Sequence, residues 1–111
     1  MSIERRQHER FELLAQVELS HGGKVETLAA INISAGGVLL VNDRNVEFTM
    51  GESLRIQFDV PELAPAFTLE ATVIRIIAPT ARPAAVAAMW TSSDATANAA
   101  LGQMLWRLKG S

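Results

Sequence analysis

From Phe11 to Ser20 the chain alternates between apolar and polar positions. Phe11, Leu13, Ala15, Val17 and Leu19 fall on one face, while Glu12, Gln16, Glu18 and Ser20 fall on the other. Leu14 is the one exception. Successive side chains of an extended chain point to opposite faces, so this period predicts a half-buried strand. His21-Gly22-Gly23-Lys24 provides the backbone freedom of a hairpin turn. Val25 to Ser34 reads as the returning strand, with Val25, Thr27, Ala29, Ile31 and Ile33 on its core face. Val38-Leu39-Leu40-Val41 is apolar on both faces and predicts a fully buried strand. Asn42 to Asn45 is a polar loop, and Met50-Gly51-Glu52 is a second turn.

Leu54 to Val60 gives the cleanest alternation in the chain. Leu54, Ile56, Phe58 and Val60 face inward; Arg55, Gln57 and Asp59 face outward. Pro61 ends this strand, and the chain turns through Pro65. Phe67 to Ile77 starts with Phe67, Leu69, Ala71 and Val73 on one face, then places Ile74 and Ile76 on the other. Either the strand becomes buried on both sides or a bulge shifts its register. Ala78 to Pro83 contains two prolines and turns; Ala84 to Trp90 is an alanine-rich last strand.

Beyond Trp90 the period changes to that of a helix, predicted over residues 93–109. Ser92, Ser93 and Asp94 are N-cap candidates. Ala97, Ala100, Leu101, Met104, Leu105 and Leu108 form one stripe, read as core packing. Arg107 and Lys109 suit the negative end of the helix dipole, and Gly110 suits its cap. Trp106 falls at the edge of the stripe, where it is expected to cover a barrel end. Six short strands and one helix predict an all-β fold, a small six-stranded antiparallel barrel with a C-terminal helix. Closure removes free strand edges, which fits a monomer or weak dimer.

The chain has 111 residues and is 49% hydrophobic, enough for one domain with a buried core. Residues 1–10 lack alternation and carry Arg5, Arg6 and Arg10, so they are expected to form a mobile arm ahead of a domain spanning 11–111. No signal peptide or membrane-length apolar run is present, which makes the cytoplasm the expected compartment. Cysteine is absent, excluding disulfides and thiolate chemistry. A net charge of −2 gives no global attraction to nucleic acid or membranes, so anion binding requires a local cluster.

The residues do not read as an enzyme. His8 and His21 fall in segments read as arm and turn, not on a rigid scaffold with a partner. No metal-ligand spacing, P-loop or dinucleotide fingerprint is present. Two other clusters carry chemistry. In Asn32-Ile33-Ser34-Ala35-Gly36-Gly37, Asn32 and Ser34 share a strand face and the glycines follow at once. Glycine there permits positive φ and close approach of a ligand to the backbone. Arg6 and Arg10 lie at most about 13 Å apart if extended and are neighbours if the arm turns. Their guanidinium forks match phosphate and the O6/N7 edge of guanine, and can stack on a purine.

Arg6-Gln7-His8-Glu9-Arg10 reads RxxxR, and Asn32 to Gly37 reads (D/N)xSxxG one strand and hairpin later. This pair, in this order and on this strand pattern, resembles the PilZ domain family of bacterial cyclic di-GMP receptors over nearly the whole chain. The resemblance implies that Arg6 and Arg10 hold phosphate and guanine groups, that Asn32 and Ser34 face a guanine, and that Gly37 keeps the turn open. Arg5 matches members that bind an intercalated ligand pair. Asn32 replaces the Asp of many members; its carbonyl accepts from guanine N1–H and N2–H without the gain of charge. The last strand departs from the family, with Ala87-Ala88-Met89-Trp90 where relatives often carry glycine and phenylalanine, and no contact is assigned there.

The implied function is a non-catalytic cyclic di-GMP receptor, with no cofactor, whose arm moves on binding. A chain of this length leaves no room for an output domain, so action through a partner protein is expected; motility, pili, exopolysaccharide and virulence all fit the resemblance. The alternative is a ligand-independent PilZ-like interaction module, against which the intact motifs argue. A barrel for single-stranded DNA or RNA would display aromatic platforms and a basic groove, and this chain is 5% aromatic and net negative.

Overall fold

The computed structural model describes residues 9–77 and 84–110. Six strands run β1 (Phe11–His21), β2 (Lys24–Ile33), β3 (Gly37–Val41), β4 (Ser53–Phe58), β5 (Phe67–Ile77) and β6 (Ala85–Trp90), followed by helix α1 (Ala95–Lys109). They close as an antiparallel barrel in the order β1-β2-β3-β6-β5-β4. The expected architecture is therefore the observed one.

Strand β4 shows why. Leu54, Ile56 and Phe58 are buried while Ser53, Arg55 and Gln57 are exposed, so one face is withdrawn from water along the whole strand. Phe58 stacks on Phe67 of β5 at 5.0 Å and meets the edge of Trp90 of β6. Leu19, Leu28, Leu40, Leu69, Val73 and Val86 complete the interior from the other strands. Helix α1 packs against β1 and β5 and buries Ala97, Leu101 and Met104. Its N-cap is Asp94, whose carboxylate accepts from the amides of Thr96 and Ala97. No helix among the described residues is long and apolar enough to cross a membrane.

Four expectations need correction. In β2 the buried positions are Leu28, Ala30 and Ile33, whereas Val25 is 64% exposed and Ile31 is only half-buried. The physical reason is a register shift between Ala30 and Asn32, which reverses the strand's alternation. Strand β3 is not buried on both faces: Val38 and Leu40 are buried, while Leu39 and Val41 are half-exposed. Trp106 covers no barrel end, being 74% exposed on the outer side of α1. His21 is not a loose turn residue. It ends β1, and its side chain is 8% exposed, lies against Phe48 and meets a Glu52 oxygen through Nδ1 at 3.2 Å. His8 lies outside the described residues. In β5, of the two alternatives, the bulge is the one observed: register shifts between Val73 and Arg75, and Ile74 is 48% exposed.

Candidate functional site

Two bulges build the site, one in β2 and one in β5. In β2, Leu28 and Ala30 point into the core, so unbroken alternation would turn Asn32 inward as well. Ala30 pairs with Leu40 and Asn32 with the adjacent Leu39, which leaves Ile31 as the extra residue. Asn32 thereby reaches the outer surface and Ile33 takes its place in the core. In β5, Leu69, Ala71 and Val73 are buried, and Arg75 would follow them inward. Val73 pairs with Ala88 and Arg75 with the adjacent Ala87, leaving Ile74 extra and carrying Arg75 outside. Burying either polar side chain without partners would cost several kcal/mol at about 2–7 per group, so the bulges remove a conflict that strict pairing would create.

The turn after β2 is folded by Ser34. Its Oγ accepts from the amides of Gly36 at 3.1 Å and Gly37 at 3.2 Å. Its own amide donates to the Gly37 carbonyl at 2.9 Å. Trp90 clamps the same turn to β6: its amide donates to the Gly36 carbonyl and its indole Nε1 to the Ser34 carbonyl, each at 3.0 Å. With both amides on its oxygen, the Ser34 hydroxyl still has its proton to donate.

The positive φ expected of this glycine pair is not found. Gly22, Gly23 and Gly51 are the glycines in that region of conformational space. Gly37 is required for another reason: it lies opposite Met89 of β6, and an added Cβ would sit 2.2 Å from the Ala88 carbonyl oxygen. The glycine admits a neighbouring strand, not a left-handed turn.

These pieces surround a groove of about 650 Å³ on the outside of the barrel. Arg10, Asn32, Ser34, Gly36, Gly37, Leu39, Ile74, Arg75, Ala87, Met89 and Trp90 are among its lining residues. Of the residues singled out in the sequence, Arg10, Asn32, Ser34 and Gly37 come together here. Arg5 and Arg6 lie outside the described residues. Glu12 pairs with Asn32, and Phe11 with Ile33, so the chain enters β1 directly beside the patch. No carboxylate lines the groove among the described residues, although the chain carries 12 acidic and 10 basic side chains. The charged lining residues among those described, Arg10 and Arg75, are both cationic, and Glu12 stands next to Asn32 on the β1 side.

The sequence reading missed Leu39, Ile74, Arg75, Met89 and Trp90. Broken alternation at Ile74 was the visible signal for the second bulge. Nothing in the residues alone announced that β3 and β6 would form the groove's floor.

The fold and the sequence both have relatives. The inhibitor of motility from Bacillus subtilis (MotI/DgrA) matches with a TM-score of 0.77 and 27% identity, over 97% of this chain and 53% of that one. The PilZ domain of YcgR from Escherichia coli, solved with c-di-GMP, matches with a TM-score of 0.78 and 13% identity, over 96% of this chain and 93% of that one. MrkH from K. pneumonia, solved as a c-di-GMP complex, gives a TM-score of 0.74 at 18% identity, over 96% of this chain and 53% of that one. The chain thus spans about half the length of the MotI and MrkH chains. No curated protein matches the sequence. The family model of the PilZ domain matches residues 4–105, and the chain belongs to the PilZ domain family.

Proposed function

We propose that this protein is a cyclic di-GMP receptor whose N-terminal arm closes over ligand held in the groove. One observation carries the reading. Two segments far apart in the chain, Arg10 on one side and Asn32, Ser34 and Gly37 on the other, line one groove whose charged lining residues among those described are arginines. Relatives of the same fold solved with c-di-GMP support the choice of ligand.

In this reading Asn32 accepts from a guanine Watson–Crick edge, and the Ser34 hydroxyl donates its remaining proton to the ligand. Arg10, together with Arg6 and Arg5 from the arm, grips phosphate and guanine oxygens through charge-assisted bonds. Ordering the arm costs about 1–2 kcal/mol per residue in backbone entropy, which holds the affinity at a moderate level. The output is the new position of residues 1–10, or the surface they form with the ligand, read by a partner protein. No step requires bond making, so the role is recognition and not catalysis.

Calorimetric titration with cyclic di-GMP tests this. Wild-type protein is expected to bind, and Arg6→Ala and Arg10→Ala are each expected to bind at least about ten-fold more weakly, with unchanged thermal stability in the absence of ligand. Absence of binding by wild-type protein would overturn the proposal and favour a ligand-independent interaction module.

A further inference from the structure

Sequence motifs explain one side of the groove, and its opposite rim carries a cation they do not include. The pairing registers trace a row across the outer surface, Asn32 to Leu39 to Ala87 to Arg75, on β2, β3, β6 and β5. Three strand spacings of about 4.8 Å separate its ends by about 14 Å. The middle of the row is small or apolar, and Ile74 and Met89 stand beside it, each almost half exposed. An apolar floor with a polar group at each end fits a ring that lies face down and is read at its edges.

Arg75 is exposed and has no hydrogen-bond or ion-pair partner among the described residues. Its guanidinium presents donors only. A fork of donors matches the O6 and N7 acceptors of guanine and meets the N6 amino group of adenine donor to donor. Phosphate is the weaker assignment, because the apolar side chain of Ile74 and the Ala87 floor adjoin Arg75, while Arg10 lines the groove where the chain enters β1 beside Asn32.

We propose that Arg75, carried to the groove by the β5 bulge, is a specificity-determining residue that reads the O6/N7 edge of a guanine lying over Leu39 and Ala87. This inference rests on the receptor reading above and extends it to the side of the ligand remote from Asn32.

The test compares cyclic di-GMP with its analogue in which both guanine N7 atoms are replaced by C–H, titrated into wild type and Arg75→Ala. Wild-type protein is expected to bind the analogue about five- to a hundred-fold more weakly than cyclic di-GMP. Arg75→Ala is expected to bind cyclic di-GMP more weakly by a similar factor, and its penalty for the analogue should shrink at least about five-fold. An unchanged melting temperature for Arg75→Ala confirms that the fold is intact. Should Arg75→Ala bind cyclic di-GMP like wild type, or keep the full penalty for the analogue, the assignment is overturned while the receptor reading stands. If wild-type protein binds no cyclic di-GMP, both are overturned together.

Discussion

The wall formed by β4 and the wall formed by β2, β3, β6 and the end of β5 are made of the same kind of strand and do different things. Around β4 the pairing runs without a shift, Glu18 to Ser20 against Gln57 to Arg55 and Ser53 to Phe58 against Thr72 to Phe67. Its outer face is an ordinary polar surface of Arg55, Gln57, Glu70 and Thr68. On the opposite wall, or at its β1 border, all three register shifts of the described barrel occur: between Glu12 and Ala15, between Ala30 and Asn32, and between Val73 and Arg75. The first lies in the pairing of β1 with β2 and the second in that of β2 with β3, and they meet on β2, where Asn32 and Ala30 pair with Glu12 and Ala15. The lesson is that regular alternation makes the container, and its interruption makes the groove, because the β2 and β5 bulges each re-aim one polar side chain from core to surface.

The comparison predicts that the two walls fail differently. The largest effect belongs to the regular wall. Ile56→Ala removes a fully buried side chain and should lower stability by about 2–5 kcal/mol in denaturant melts. Protein that remains folded should bind cyclic di-GMP with unchanged affinity, and a selective loss of binding would blur the distinction. On the groove wall, Arg10→Ala removes charge-assisted bonds worth about 1.5–3 kcal/mol, a loss of roughly 10- to 150-fold in Kd by calorimetry with the melting temperature unmoved. Gly37→Ala should do both kinds of damage. Its new methyl runs into the Ala88 carbonyl, so stability should fall by about 1–3 kcal/mol and ligand binding should weaken with it. If neither changes, Gly37 is incidental to turn and site. Ser34→Ala gives the smallest effect, about 1 kcal/mol in binding, with a parallel loss of stability from the two amides its oxygen now holds.

How much of this was legible in the sequence follows the same division. Strand β4 reads almost directly, since nothing interrupts its period: Leu54, Ile56 and Phe58 are the buried ones, while Val60, also expected inward, lies beyond the strand's end at Phe58 and is half-buried. The helix reads as directly, through Asp94 and the Ala97–Leu101–Met104 stripe. Where bulges intervene, counting by twos assigns the wrong face: Val25, Thr27 and Ala29 were placed inward, and Leu28 and Ala30 are the buried pair. Ile31 resembles any other apolar strand residue, so the β2 shift leaves no mark in composition. Ile74 does leave one, because an apolar residue at an outward position breaks the pattern visibly. Asn32, Ser34 and Gly37 were found through their motif, but for Gly37 the motif does not give the reason. Its need for a missing Cβ comes from Ala88, 51 positions later, and is set by the pairing of β3 with β6. Arg75 and Trp90 belong to no motif and enter the groove through strand pairing alone.

The most direct test of the two-wall account is backbone amide mapping by NMR with the ligand present. Titrating cyclic di-GMP into ¹⁵N-labelled protein should shift the amides of Asn32 to Leu39, Ile74 to Ile77 and Ala87 to Trp90, together with the Trp90 indole signal, while those of Ser53 to Phe58 stay in place. Shifts centred on Ser53 to Phe58, with the Asn32 to Leu39 amides unmoved, would contradict it.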